Sequence, residues 1–202
     1  LTEVKVRSRQ TNKPDKYIVS ECVKVLRDEL PYNLHIFVNS VEFIAKVIDT
    51  LKLAPEAVKV VCSTSGESRQ ENQRKLGNAY PIGQPSDPAK KINFYTSTCF
   101  EGCDIFDPDG VTFIVSDGRK AHTLLDISTL FTQICGRIRD SRYKAQIVHV
   151  YSTTKYSKAV TLDEFVAATQ RTLADAEKFA SDINAVDEPS REKLLKKIPY
   201  IN

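Results

Sequence analysis

Two stretches of the chain carry residue types at spacings suited to phosphate chemistry. The first is Gln133-Ile134-Cys135-Gly136-Arg137-Ile138-Arg139-Asp140-Ser141-Arg142. Gln133 and Arg137 are four apart, so on a helix both project from one face, about one turn from each other. Gly136 between them leaves room for close approach. A glutamine so placed can position a water, and the arginine can reach an anionic oxygen of the same group. That is the arrangement of an arginine finger in phosphoryl transfer, worth about 10³ to 10⁵ in rate. The plainer alternative is an exposed basic helix end, which the helix dipole favours unaided. For Arg139 and Arg142 the two readings stand level.

The second stretch is Tyr95-Thr96-Ser97-Thr98-Cys99-Phe100-Glu101-Gly102-Cys103-Asp104-Ile105. A strand ending in hydroxyl residues, followed by Gly102 and Asp104 two apart, puts small polar groups at a carboxyl edge of a sheet. Doubly wound domains bind ligands at such edges. Gly102 lets the backbone approach a partner, and Asp104 can accept a hydrogen bond from a ribose hydroxyl or from a neighbouring motif. The alternative is a turn whose Thr and Ser cap a helix. Cys99 and Cys103 within it make one C-x3-C pair, but a zinc site needs two more ligands and His35, His122 and His149 are distant in sequence.

The elements around these stretches alternate between helix and strand. Pro14-Asp15 opens a helix with Ile18, Cys22, Val25 and Leu26 on one stripe. Residues 34–38 form a short apolar strand, and Asn39 with Glu42 resembles a capping box for a helix burying Val41, Ile44, Ala45, Ile48 and Leu51. Residues 58–62 make a second strand, 66–75 a polar helix, and 92–95 a third strand after a loop rich in Pro and Gly. The turn Asp107-Pro108-Asp109-Gly110 leads to a fourth strand over 111–115. A helix over about 126–137 carries Ile127, Leu130, Phe131 and Ile134, and 145–150 is a fifth strand. Strands this apolar, separated by helices, predict a parallel sheet covered on both faces. The residues before Pro14 read as a polar start.

Thr161 and Glu164 form a second capping box. The residues after it recur at alternating four- and three-residue steps (Leu162, Val166, Thr169, Leu173, Ala176, Ala180, Ile183). They predict a long amphipathic helix to about Ala185, docked on this domain or on another. Arg191, Lys193, Lys196 and Lys197 then form a basic tail, read as a solvated face in preference to a nucleic-acid contact.

Together the two phosphate-suited stretches resemble motifs V and VI of superfamily-two helicases. Thr96 to Ile105 is similar to the motif V pattern of Thr, variable residues and Gly-x-Asp-Ile; Gln133 to Arg137 has the Gln-x-x-Gly-Arg core of motif VI. Leu34 to Ser40 sits where the motif IV strand belongs, and the order and intervals agree over about residues 15 to 157. The short Gly-Arg-Ile-Arg ending is closer to DNA-directed members, such as herpesvirus origin-binding helicases and phage relatives, than to DEAD-box RNA helicases.

The resemblance implies an α/β, RecA-like three-layer domain with a mainly parallel sheet over residues 1–157 and a helical extension over 158–202. It implies that Gln133 and Arg137 face the γ-phosphate of ATP, with Arg139 or Arg142 assisting. Gly102, Asp104 and Gly136 would line the nucleotide cleft. Asn39, Ser40, Thr96, Ser97 and Thr98 would contact the backbone of DNA (or RNA). One position departs from the pattern: a second arginine is expected three after the first, where this chain has Asp140.

No Walker A sequence and no Asp-Glu pair at the end of an apolar strand occurs in the 202 residues. ATP and Mg2+ are therefore expected to be held mainly by a first RecA-like domain of the same protein, and this segment alone is expected not to hydrolyse ATP. The chain opens on Leu1 and contains no Met, which fits an excised fragment. Two further readings are a DNA translocase of restriction type and a non-catalytic interaction module with a motor fold.

Composition narrows the class without choosing among these. At 41% hydrophobic and 27% charged residues the chain reads as globular, and a formal charge of +3 argues little for nucleic acid by itself. No apolar run reaches the roughly 18 residues of a membrane span. Five scattered cysteines fit reduced thiols in a cytoplasmic protein.

Overall fold

Alternation of side chains along five apolar strands builds two cores, one on each face of a single sheet. The structure is a computed structural model that describes residues 4–152 and 161–195, the last four in backbone only. Its strands are β1 (Lys5–Gln10), β2 (Asn33–Phe37), β3 (Val58–Val61), β4 (Ile92–Tyr95), β5 (Gly110–Asp117) and β6 (Gln146–Ser152). They lie in the order β1-β6-β5-β2-β4-β3, and every neighbouring pair is parallel.

On one face Leu34, Ile36, Ile92, Phe94, Val111, Phe113, Val115 and Val150 meet the buried stripes of two helices. These are α1 (Pro14–Leu26), which buries Ile18, Cys22 and Val25, and α2 (Val41–Leu51), which buries Ile44, Val47 and Ile48. Leu76 at the end of α3 (Glu67–Leu76) joins the same core. On the other face Phe37, Val61, Tyr95, Ile114 and Ile147 pack against Cys99, Phe100, Ile105, Phe131 and Ile134. Each large apolar side chain so buried contributes about 1.5 to 3 kcal/mol. The result is the three-layer α/β domain, with a parallel sheet, expected of the RecA-like class.

Three local expectations are corrected. The segment read as a polar start contains a strand: β1 pairs in register with β6, Lys5 opposite Gln146 through Gln10 opposite Tyr151. Asn39 does not cap α2. Ser40 does, accepting from the Phe43 N–H at 3.3 Å, while the Glu42 carboxylate pairs with Lys120 Nζ at 3.3 Å. The continuous helix over 126–137 is instead a π-helical turn, Ile127–Phe131, followed by a short α4, Thr132–Cys135. The wider turn lets Phe131 and Ile134 reach the core, and Ile127 stands 73% exposed.

The chain divides into two units, Leu1–Lys155 and Tyr156–Asn202. The second contains α5 (Leu162–Asn184) and α6 (Glu188–Leu195). The Thr161 capping box forms: its hydroxyl accepts from the Glu164 N–H at 3.3 Å, and the Glu164 carboxylate accepts from the Thr161 N–H at 2.8 Å. Of the α5 stripe only Ile183 is buried. In the basic tail, Lys196, Lys197 and the Lys193 side chain lie outside the described residues. No helix among the described residues is long and apolar enough to cross a membrane.

One polar group of residues interrupts the second core. His35 is fully buried, with Nε2 2.7 Å from the Asp107 carboxylate and Nδ1 3.1 Å from the Tyr95 hydroxyl. Burial holds the imidazole below its ordinary value, against the pull of Asp107. A neutral ring satisfies both contacts, donating from Nε2 to Asp107 and accepting at Nδ1 from Tyr95. Burial opposes ionisation of Asp107, but hydrogen bonds from His35, Asn33 and the Asp109 N–H outweigh it and hold the carboxyl low. Gly110 makes this packing possible, because a Cβ there would come within 2.8 Å of His35 Nε2.

Candidate functional site

The two stretches singled out in the sequence lie side by side. After β4 the chain leaves the carboxyl edge at Thr96, crosses the second face and reaches the amino edge at Asp107. Residues 137–141 run beside it in the same direction, joined by a parallel bridge between Ile105 and Ile138. Ile105 N–H donates to the Arg137 carbonyl at 2.9 Å, and Arg139 N–H donates to the Ile105 carbonyl at 3.0 Å. The backbone thus fixes the register of one motif against the other.

Arg137 is half-buried at the head of this ribbon. Its Nε donates to the Gln133 carbonyl at 3.0 Å and its Nη1 to the Cys103 carbonyl at 2.9 Å. Among the described residues it meets no carboxylate, so its charge is oriented by two backbone dipoles and left uncompensated. This corrects the expected relation to Gln133. Because α4 ends at Cys135, Arg137 lies just past the helix, and the Gln133 main chain, not its exposed side chain, holds the guanidinium. Gly136 is not required for close approach either: its φ is −97°, and a Cβ there would meet only the Gln133 carbonyl at 3.6 Å.

Gly102 does need to be glycine, at φ +70°. It sets the turn that presents the Cys103 carbonyl to Arg137. Asp104 accepts from Arg139 Nε at 2.7 Å, each side chain 48% exposed. Asp140 accepts from the Asp107 N–H at 2.8 Å and so anchors the turn at the foot of the ribbon.

Arg142 must be separated from this group. Its backbone N–H binds the Pro108 carbonyl, and its Nε donates to Asp109 at 2.7 Å. Asp109 in turn accepts from the Asn33 N–H at the start of β2. Arg142 therefore sits at the amino edge of the sheet, neutralised by an acid, at the end of the ribbon opposite Arg137.

At the carboxyl edge Asn39 bridges two loops, donating to the His122 carbonyl at 2.9 Å and accepting from the Ser97 N–H at 3.4 Å. Ser97 and Thr98 are exposed, whereas Thr96 is buried with its hydroxyl 3.3 Å from that of Thr98. Ser40 is also buried, and its hydroxyl accepts from the Phe43 N–H to cap α2. A crevice of about 420 Å³ opens beside it, lined by Ser40, Phe43, Lys46, Asp117, Arg119 and Thr123. The Arg119 guanidinium, 2.9 Å away, holds the Asp117 carboxyl far below the usual range, and Ser152 adds a further hydrogen bond. Lys46 is taken by Asp15 at 2.6 Å, so the cations of this crevice are already paired.

Sequence reasoning missed this crevice and the His35–Asp107 pair. The run Asp117-Gly118-Arg119-Lys120 at a strand end was the available signal for the first; for the second, Asp107 was visible only as a turn residue. Cys103 Sγ contacts the Cys99 carbonyl at 3.3 Å, and burial pushes the Cys99 thiol up to about 12. Among the described residues no group of three or more His, Cys, Asp or Glu side chains is placed to hold a metal ion.

No protein-family model matches the chain, and no curated protein matches it in sequence.

Proposed function

We propose that residues 1–157 act as the second motor domain of an ATP-dependent nucleic-acid helicase, with Arg137 as its arginine finger. One observation carries the reading: a half-buried arginine, oriented by the Cys103 and Gln133 carbonyls, has no acid on its own unit among the described residues to neutralise it. A fixed and uncompensated guanidinium is suited to charge that develops on a phosphoryl group supplied from outside the domain. A companion first domain would hold ATP, which would supply the hydrolysable phosphoanhydride, together with Mg2+.

Asp104 and Arg139 neutralise each other, so their part is to hold the two motif strands in register beside Arg137. Arg142, at the opposite end of the ribbon, takes no part. At the carboxyl edge the exposed Ser97 and Thr98 hydroxyls, positioned by Asn39, offer sequence-neutral donors to a DNA or RNA backbone. Opening and closing of the cleft between the two motor domains would move that backbone. Asp140, where the motif pattern has arginine, has a local duty toward Asp107, so this departure does not favour a non-catalytic interaction module.

The test is ATPase turnover of the protein that joins this domain to its first motor domain, with Arg137→Ala and Arg137→Lys. A loss of about 10³-fold or more is expected for alanine, with little recovery by lysine, because two fixed N–H directions are used. Turnover within a few-fold of wild type would overturn the assignment. Strand-displacement and triplex-displacement assays on the same protein separate unwinding from duplex translocation.

A further inference from the structure

A row of cations runs along the edge strand β1. Lys5, Arg7 and Arg9 alternate along β1, so all three side chains leave the same face of the sheet. That face is the α1 side, because Arg7 and Arg9 line a groove of about 220 Å³ with Tyr17, Glu21, Lys24 and Tyr32. Parallel pairing with β6 fixes the strand, and the spacing between successive cations is two strand rises, roughly 6.6 Å.

Charge in the groove is strongly one-sided. Glu21, its single carboxylate, is 2.7 Å from Lys24 and so already engaged. Lys5, Arg7 and Arg9 meet no acid among the described residues. Two half-buried tyrosines stand in the same groove, and Tyr32 is held edge-on by Tyr143 at 5.6 Å between ring centroids. Charges on an edge strand also discourage pairing with another sheet. That duty is indifferent to which face the charges occupy, and it gives no reason for aromatic rings beside them.

We infer that the β1–α1 groove binds a single-stranded phosphodiester chain, with Lys5, Arg7 and Arg9 on successive phosphates and Tyr17 and Tyr32 offering rings to the bases. Regular cations beside aromatic faces are how sequence-neutral single-strand sites are built. An anionic membrane would use the cations, but its flat surface suits exposed rings and not tyrosines half-buried along a groove. The groove is a second contact, distinct from the Ser97–Thr98 edge, and it stands whether or not Arg137 serves a nucleotide.

The experiment is titration of fluorescently labelled single-stranded DNA and RNA oligonucleotides of mixed sequence with the 202-residue chain, without nucleotide, at several salt concentrations. The variant Lys5→Gln/Arg7→Gln/Arg9→Gln is expected to weaken binding at least about tenfold. It should also lower the salt slope by about 2, three contacts at ~0.7 each. Arg7→Lys/Arg9→Lys, which keeps the charge, should retain the slope. Arg7→Gln alone should lower it by about 0.7, a reading that survives if the triple variant folds poorly. Tyr17→Leu and Tyr32→Leu should each cost about tenfold at constant slope.

The DNA and RNA arms show whether the sugar matters; binding of either supports the site. Absence of binding by the wild-type chain would overturn the inference, as would an unchanged slope in the Gln variants. So would binding to vesicles of equimolar phosphatidylcholine and phosphatidylserine, dependent on the three cations, with none to oligonucleotides.

Discussion

Asp104 and Arg139 meet at 2.7 Å, and through them the loop after β4 is tied to the segment after Gly136. Both side chains are 48% exposed, so water screens the pair and its direct contribution to stability is small. Its value lies in position, since the same two segments present the Cys103 carbonyl and Arg137.

A double-mutant cycle of Asp104→Asn and Arg139→Gln in urea unfolding should return a coupling of about 0.2 to 1 kcal/mol. If Arg137 acts as proposed, the same substitutions in a protein that joins this domain to a first motor domain should lower ATPase turnover by more than that coupling accounts for. Equal effects on stability and turnover would show the pair to be a surface salt bridge alone.

Gly110 and Gly136 should respond oppositely to alanine. At Gly110 the added Cβ lies 2.8 Å from His35 Nε2, inside the buried polar group, and a loss of about 1 to 3 kcal/mol is expected. At Gly136, with φ −97° and only an ordinary 3.6 Å contact to the Gln133 carbonyl, the change should be neutral or stabilising by up to about 1 kcal/mol. Urea midpoints of the two variants compare them directly.

Acidification should destabilise the domain before its carboxylates titrate. Burial depresses His35 and His149 below their ordinary value of 6.5 in the folded chain. Below that value the unfolded chain binds the extra protons, so the stability from neutral histidine is present above about 6.5 and declines as pH falls toward the folded values. Asp107, also depressed, adds a second loss below its ordinary 3.8. Urea midpoints measured from about pH 8 down to about pH 5 should fall, and a flat profile across that range would contradict the buried neutral imidazoles.

Asn39 makes one donor and one acceptor contact between loops at the carboxyl edge. Asn39→Asp keeps the acceptor for Ser97 and loses the donor to His122, so its cost should fall between wild type and Asn39→Ala. The alanine variant should lose about 0.5 to 1.5 kcal/mol per bond. Hydrogen exchange at the Ser97 amide should quicken most in the alanine variant.

Strands β2 to β6 are legible because runs such as Leu34–Phe37 and Val111–Val115 carry apolar residues on both faces, with His35 and Thr112 the exceptions, a pattern that suits a covered parallel strand. β1 is hidden because Lys5, Arg7 and Arg9 outnumber its apolar residues and its one partner, β6, is remote in sequence. The 126–137 helix is misread because a 3.6-residue period counts Ile127 as core, whereas the π turn shifts the stripe past it. In the candidate site, residue types mark Arg137 and Asp104, but they carry no information on carbonyl direction. The Cys103 oxygen that orients Arg137 becomes visible only in three dimensions.

The pairing of β1 with β6 also sets an order in time. Synthesis delivers Lys5 long before its partner Gln146, and the four strands β2 to β5 emerge between them. Closing so long a loop is entropically late, and parallel pairing of distant segments is slow. Within this sheet, the strand that precedes the others in sequence is therefore the last to be seated. Until β1 docks, the margin of β6 stays open.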